Sequence, residues 1–418
     1  MSSHVLRRPQ SLRRWQVRGL AATTGIMLGL GLAELLLRVF GFGTPPWSVV
    51  IHPFRGRSYR PDSTFVFRGE GGPRQIVLNS RGFRDLTRTP DKPAGIFRIA
   101  VLGDSYVEAS HVDIADRVTE RLERELNQRS VFGTSRVEVL NFGVAGYGTF
   151  NELQTLKHEA WNFQPDLVLV CFFSGNDLGN NCRELSQDSG RPYLVWRHDH
   201  FDELFPTAPR FSLRESILQS SHLFRLWTSV WEQRRESRKR SPQRQRQSPP
   251  HATSTESFEV GLDTQIYSPP KEAAWESAWE VTEELLRRFD QECRSRETPW
   301  LLVVLSNGVQ VHPDRNLRES FRRAMEHPTL FYPEERLRQA AQRDGYPILC
   351  LAPELLNQAE WDQKPLHGFP NLPRGFGHWN ARGHHAAARL IADFLQQFRG
   401  AFRVPGADSD DSARSDGR

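Results

Sequence analysis

Residues 97–105 read FRIAVLGDS, from Phe97 to Ser105, and this stretch decides the fold. Apart from Arg98 its first six residues are apolar. They lack the alternation of a half-solvated strand, and a Gly-Asp pair then breaks the run in front of a serine. A continuous apolar run of this length is how a strand buried on both faces of a parallel sheet reads. Four more runs follow: VEVLNFG (137–143), DLVLVCFF (166–173), WLLVVLS (300–306) and PILCLA (347–352). Between them lie helical periods. Ile114, Val118, Leu122 and Leu126 recur every four residues, and apolar positions in 153–163, 275–289 and 387–395 do the same. Alternating strand and helix predicts a three-layer α/β/α sandwich around a parallel sheet. Ligands in such sheets bind beyond the carboxyl ends of the strands, so the loops there are where chemistry is sought.

Four short motifs occupy such loops. VLGDS places Ser105 just past the first buried strand, with Asp104 before it and a helix to follow. NFGVAGYG ends the second strand, FFSGNDL ends the third with Asn176, and GFGHWNARGH (375–384) places His378 ahead of the last helix. The set is chemically coherent. A serine hydroxyl is a poor nucleophile until a base takes its proton, and histidine titrates in the right range. Charge developing on a carbonyl oxygen needs preorganised donors worth a few kcal/mol each. The N–H of Ser105, the N–H of Gly146 and the side-chain amide of Asn176 are the candidates. Asp104 reads as a helix cap, Asn380, Gly383 and His384 as helix-entry and packing residues, and His111 and His158 as isolated histidines.

On these residues the chain resembles the SGNH, or GDSL-type, hydrolases over about 97–395, with one long interruption. The resemblance implies a flavodoxin-like sheet and an esterase or acyl-transfer activity. In that pattern Ser105 matches the nucleophile, Gly146 the second-block glycine, Asn176 the third-block asparagine and His378 the base. LNSRGFRD (78–85) together with FRIAVLGDSYVEA is similar to membrane-anchored bacterial members. One departure stands out. The family commonly carries D-x-x-H, and one branch D-x-H, yet Gly375 and Phe376 hold those two positions here. Three readings follow: a Ser105–His378 dyad, a carboxylate brought from Asp362 or Glu354, or a degenerate site that only binds glycan or lipid. Losing the acid costs a serine protease about 10⁴ in rate but leaves activity well above water, so the departure does not exclude an enzyme.

The 418 residues exceed what one small core needs, and of 55 basic side chains only 5 are lysine. The net charge of +5 is thus an arginine bias spread over the chain, which argues weakly for nucleic-acid binding. Four cysteines show no CxxC spacing and no pairing with histidines, which argues against a zinc site; no metal or organic cofactor is implied.

Arg7, Arg8, Arg13, Arg14 and Arg18 precede GLAATTGIMLGLGLAELLL (19–37), long enough to cross a bilayer at about 20 residues. The positive-inside rule leaves the amino terminus in the cytoplasm and the body outside. A cleaved signal peptide is the competing reading, against which stand the length of the apolar run and the lack of an A-x-A site. Glu34 lies near the outer end, where Arg38 at i+4 can pair with it. The expected order is a basic terminus (1–18), an anchor (19–40), a stalk and extended lead-in (41–95) whose 59–85 reads as short extended pieces and turns, the hydrolase body (96–177 and 271–400), an aromatic insertion that is either a lid or packed on the body (178–233), a disordered basic linker (234–258) and a disordered tail (404–418). The expected partners are an ester-bearing small molecule, lipid or polysaccharide and the membrane, with no nucleic acid. Substrate identity, hydrolysis against transfer, oligomeric state and any pairing of Cys182 with Cys293 stay open.

Overall fold

A computed structural model describes residues 10–40, 49–134, 136–206, 221–224, 226–227, 264–325 and 327–402. The expected linker and tail lie outside these residues, as do parts of the basic terminus, the stalk and the insertion. The chain divides into two compact units, one made of 1–47 with 209–247 and the other of 48–208 with 248–418.

The first unit holds helix α1 (Gln10–Val39). Its segment Val17–Val39 has a mean hydropathy of 1.8 and is long and apolar enough to cross a membrane or to serve as a signal sequence.

The second unit begins with two antiparallel hairpins, β1 (Val49–His52) with β2 (Gly56–Tyr59) and β3 (Thr64–Gly69) with β4 (Gly72–Val77). There follow β5 (Ile96–Leu102), α2 (Ser105–Glu108), α3 (Val118–Arg129), β6 (Arg136–Asn141), α4 (Thr149–His158), β7 (Leu167–Phe172), α5 (Asp177–Asn181), α6 (Arg183–Ser186) and the hairpin β8 (Tyr193–Arg197) with β9 (His200–Leu204). The chain resumes with α7 (Ala273–Ser295), β10 (Trp300–Val304), α8 (Arg315–Ala324), α9 (Tyr332–Asp344), β11 (Ile348–Cys350), α10 (Ala352–Asp362) and α11 (Ala381–Gln397).

Five strands form one parallel sheet in the order β11-β10-β7-β5-β6. In chain order this is 2-1-3-4-5, the flavodoxin-like arrangement, and all five apolar runs read from the sequence are its strands. Every residue of β7 and β10 is buried, because helices cover both faces. One core packs α4, α7 and α9 on one face through Phe150, Leu153, Trp279, Leu285 and Leu337. The other packs α3, α10 and α11 through Leu122, Leu126, Leu355, Ile391 and Leu395. The connection leaving β5 goes to β6 on one side and the chain then returns to β7 on the other, so the carboxyl ends of β5 and β7 flank the switch point where such sheets bind ligands. All four cysteines are free and buried.

Two features fill in the sequence reading. The short extended pieces and turns expected before the sheet are paired as two hairpins, with Phe65, Ile76 and Leu78 forming a small core of their own. The segment between β10 and β11 carries two helices, α8 and α9, whose arginine-rich sequences hid their apolar stripe.

Candidate active site

Ser105 opens α2 directly after β5, and the turn is fixed by Asp104. Its carboxylate accepts from Tyr106 N at 2.9 Å as the helix cap, and its other oxygen accepts from Asn176 Nδ2 at 2.9 Å. A second tie joins the loop after β6 to the end of β5, with Val144 N donating to Gly103 O at 3.1 Å. The Ser105 turn, the Gly146 loop and the Asn176 turn are thereby drawn together at the carboxyl edge of the sheet.

His378 lies in the loop between α10 and α11. The loop is held from below: Trp379 Nε1 donates to Ser306 Oγ at 2.9 Å, and His367 bridges Ser306 Oγ at 2.9 Å and Gly377 O at 2.7 Å. Asn380 caps α11 by accepting from Arg382 N and Gly383 N, as its sequence position suggested. His378 Nε2 thereby comes to stand 2.8 Å from Ser105 Oγ.

The remaining edge of the imidazole meets a carboxylate that the sequence reading did not consider. Glu70, at the tip of the β3–β4 hairpin, has Oε1 2.9 Å from His378 Nδ1, while its Oε2 accepts from the backbone N of His378 at 2.8 Å. Asn371 secures the tip by accepting from Gly71 N at 3.1 Å and donating to Gly69 O at 3.0 Å. Gly377 has φ of +91°, a conformation that favours glycine, and a Cβ there would stand 2.8 Å from Glu70 Oε2, so a larger residue would have to displace that carboxylate. Burial alone would raise the Glu70 carboxyl, but the hydrogen bonds and charge of His378 outweigh it and hold the group below the ordinary carboxylate range. An ionised Glu70 accepts the Nδ1 proton, which fixes the tautomer whose Nε2 can accept from Ser105.

The carboxylates expected to substitute for the acid are engaged elsewhere. Asp362 accepts from Lys364 N and pairs with Arg382 at the end of α10. Glu354 is exposed and accepts from Asn357 Nδ2. The edge of His378 that Asp362 or Glu354 was expected to face is filled by Glu70, brought in by the hairpin. Phe376, at one of the two positions where the resemblance led an acid to be expected, is 5 % exposed and packs in the core with its ring 5.4 Å from that of His312.

Of the expected oxyanion donors, Gly146 is exposed with φ of +77°. The neighbouring Ala145 N donates to Glu108 Oε2 at 2.5 Å, and the same buried carboxylate accepts from Tyr59 OH and Ser110 Oγ. Glu108 therefore fixes the loop that carries Gly146. Asn176 uses its amide to hold Asp104, so its side chain belongs to the frame of the Ser105 turn.

His111 is not isolated. It is buried, its ring lies 4.5 Å from that of His378, and its Nε2 is 3.3 Å from that of the buried His384. Burial, and then the charge of His378, pushes both well below the ordinary histidine range, so they stand as neutral rings beside His378. At and behind the Ser105 turn, Asp104, Glu152 and Asp177 are fully buried, and burial raises all three carboxyls. Neither oxygen of Glu152 has a hydrogen-bond partner among the described residues.

No family model matches the chain, and no curated protein sequence matches it. Solved structures similar to it include the acetyl xylan esterase AlAXEase (11% identity, TM-score 0.37, 72% of this chain and 100% of that one). A lipase/acylhydrolase from Enterococcus faecalis is similar at 12% identity and a TM-score of 0.35, over 72% of this chain and 96% of its own. An acetylxylan esterase from Geobacillus stearothermophilus follows at 11% identity and 0.34, over 72% and 93%. Scores this low carry nothing about chemistry.

Proposed function

We propose that this chain is a membrane-anchored serine esterase or acyl hydrolase of the SGNH type, with a Ser105–His378–Glu70 triad. The observation that carries the reading is the unbroken series Ser105 Oγ, His378 Nε2, His378 Nδ1 and Glu70 Oε1, with contacts of 2.8 and 2.9 Å. Three groups aligned in these roles, from elements 308 residues apart, are what nucleophilic acyl chemistry needs and what packing alone does not.

Ser105 Oγ attacks the ester carbonyl as its proton passes to His378 Nε2. Glu70 stabilises the imidazolium that forms and holds its ring in place. The N–H groups of Ser105 and Gly146 and the amide of Asn176 serve the oxyanion. Collapse of the tetrahedral intermediate returns the proton from Nε2 to the leaving oxygen and leaves an acyl group on Ser105. Water, or a sugar hydroxyl in a transferase, then attacks with His378 again as base. Helix α1 holds the body outside the cytoplasm, where lipid esters or acetylated polysaccharide of the envelope are the substrates.

The test is hydrolysis of a short-chain aryl ester by the full chain in detergent. Ser105→Ala and His378→Ala are expected to lower kcat/KM by about 10³-fold or more with unchanged circular dichroism. Turnover of Ser105→Ala equal to that of the wild type would sink the assignment.

A further inference from the structure

Glu34 is a carboxylate inside an apolar helix, and the structure shows what it holds. It lies five residues before the end of the Val17–Val39 segment, about 7 Å along the axis at ~1.5 Å per residue. Arg38 Nε donates to its Oε1 at 2.8 Å. Three more donors come from far along the chain: Ser221 Oγ at 2.9 Å, His222 N at 2.9 Å and Leu223 N at 3.0 Å. Residues 222–224 and 226–227 are helical. Ser221 Oγ in turn accepts from Phe224 N at 3.2 Å. The orphan N–H groups of this helical turn are therefore satisfied by Ser221 and by a carboxylate of α1. Along α1 the stretch 33–37 is where the helix is partly covered, at Ala33, Glu34 and Leu37, while Leu32, Leu35 and Leu36 stay 45–58% exposed.

The geometry points to residues 221–224 and 226–227 as a second membrane contact, held at the acyl–headgroup boundary by Glu34 with Leu226 and Trp227 set into lipid. This rests on the reading of α1 as a membrane span. The depth follows from the hydrogen bonds: a group bonded to Glu34 lies at the depth of Glu34, about 7 Å inside the end of the span. Amphipathic segments in the interface bury their apolar side by about 5–10 Å. Leu226 and Trp227 are 48% and 62% exposed, and tryptophan prefers this zone because its ring is apolar with one polar edge. Lipid is the occupant that fits, because the same hydrogen bonds that satisfy a costly intramembrane carboxylate put these side chains where lipid already is.

The experiment places one nitroxide at a time on the full chain in vesicles of phosphatidylcholine and phosphatidylglycerol. The four native cysteines are buried, which leaves an added one free to be labelled. Labels go at Trp227→Cys, at Leu28→Cys within the span and at Trp361→Cys, which is 87% exposed on the other unit. The expected result is an oxygen-over-nickel-chelate accessibility ratio at 227 several-fold above that at 361 and on the side of that at 28. Adding Glu34→Ala is expected to return the ratio at 227 to that of 361. A lipid value at 28 with an aqueous value at 227 would overturn the inference, as would a lipid value at 227 that ignores Glu34→Ala. An aqueous value at 28 would instead overturn the span itself. A label at 227 shielded from both reagents would mean that a second copy or another part of the chain covers it, and would also overturn the inference.

Discussion

Replacing Glu70 by glutamine separates the triad from a dyad, and the structure sets the size of the effect. The imidazolium and carboxylate charge centres lie about 4 Å apart, given a Nδ1–Oε1 contact of 2.9 Å. At an effective dielectric of about 20 their attraction is about 4 kcal/mol, which converts to about 10³ in rate. Both side chains are about a quarter exposed, at 28% and 23%, and water screens part of this. A dielectric of about 40 halves the energy and brings the effect to about 30-fold. The expected loss in kcat for Glu70→Gln is therefore between about 30-fold and 10³-fold. Geometry adds to it, because Glu70 accepts twice from His378, through Nδ1 and through the backbone N. Glutamine presents one acceptor, and if its amide nitrogen faces Nδ1 the proton moves to Nε2, the tautomer that cannot deprotonate Ser105. The loss should fall on kcat, with KM for a small aryl ester unchanged, since Glu70 binds no part of it. Asp362→Asn should stay within about 3-fold, its carboxylate being held by Arg382 and Lys364. Glu70→Gln within about 3-fold of wild type, or an Asp362→Asn loss of similar size to it, would refute the assignment of the acid.

Three further outcomes are expected. The acid limb of the kcat/KM profile should follow a single ionisation, that of the base: Glu70 has its folded pKa depressed, so its contribution is complete above its unfolded value of about 4.3 and is lost only as pH falls through the lower folded value. A limb of slope two starting above pH ~5 would contradict this. Glu152→Met should raise the Tm at pH 8 by more than at pH 5; burial raises the Glu152 carboxyl, so the stability it leaves is greatest below its unfolded pKa and is eroded as pH rises toward the folded one, and an apolar side chain removes that cost. Equal shifts at both pH values in thermal melts would count against it. Glu108→Gln should lower kcat by about tenfold or more, with KM unchanged, because one amide cannot accept at once from Ala145 N, Tyr59 OH and Ser110 Oγ, and the Gly146 loop loosens. Wild-type kcat in that variant would release Glu108 from any part in the site.

The sheet was legible because strands buried on both faces announce themselves as apolar runs, and the placement of Ser105 and Asn176 at strand ends was legible because they follow such runs. The hairpin tip at Glu70 carried a local signal as well. GEGG at 69–72 separates TFVF from RQIV, which reads as a tight turn between strands, and it presents one carboxylate. What no local pattern contains is the partner of that carboxylate, 308 residues away. Likewise nothing in the sequence around His111 tells that α11 and the base pack against it.

The absence of the acid near His378 nevertheless has a physical reason that the folded loop supplies. Gly375 has φ of +84°, and a Cβ there would stand 2.4 Å from His312 Cδ2, so an aspartate three residues before the histidine would collide with a buried ring. The next position is spent on the core, where Phe376 is buried beside the same His312. A carboxylate at 376 would have to be buried among apolar side chains or pull the loop away from them. The loop therefore uses both customary acid positions for its own turn and anchorage, and the open edge of His378 faces outward from it. A hairpin placed ahead of the sheet in the chain can reach that edge, provided that its tip is fixed, and Asn371 on the His378 loop fixes it by bonding Gly69 and Gly71 on either side of Glu70. Asn371→Ala should then lower kcat in the direction of Glu70→Gln without touching any reacting group, and the two variants combined should lose little more than Glu70→Gln alone. Losses that multiply in the double variant would mean that Asn371 acts on something other than the acid.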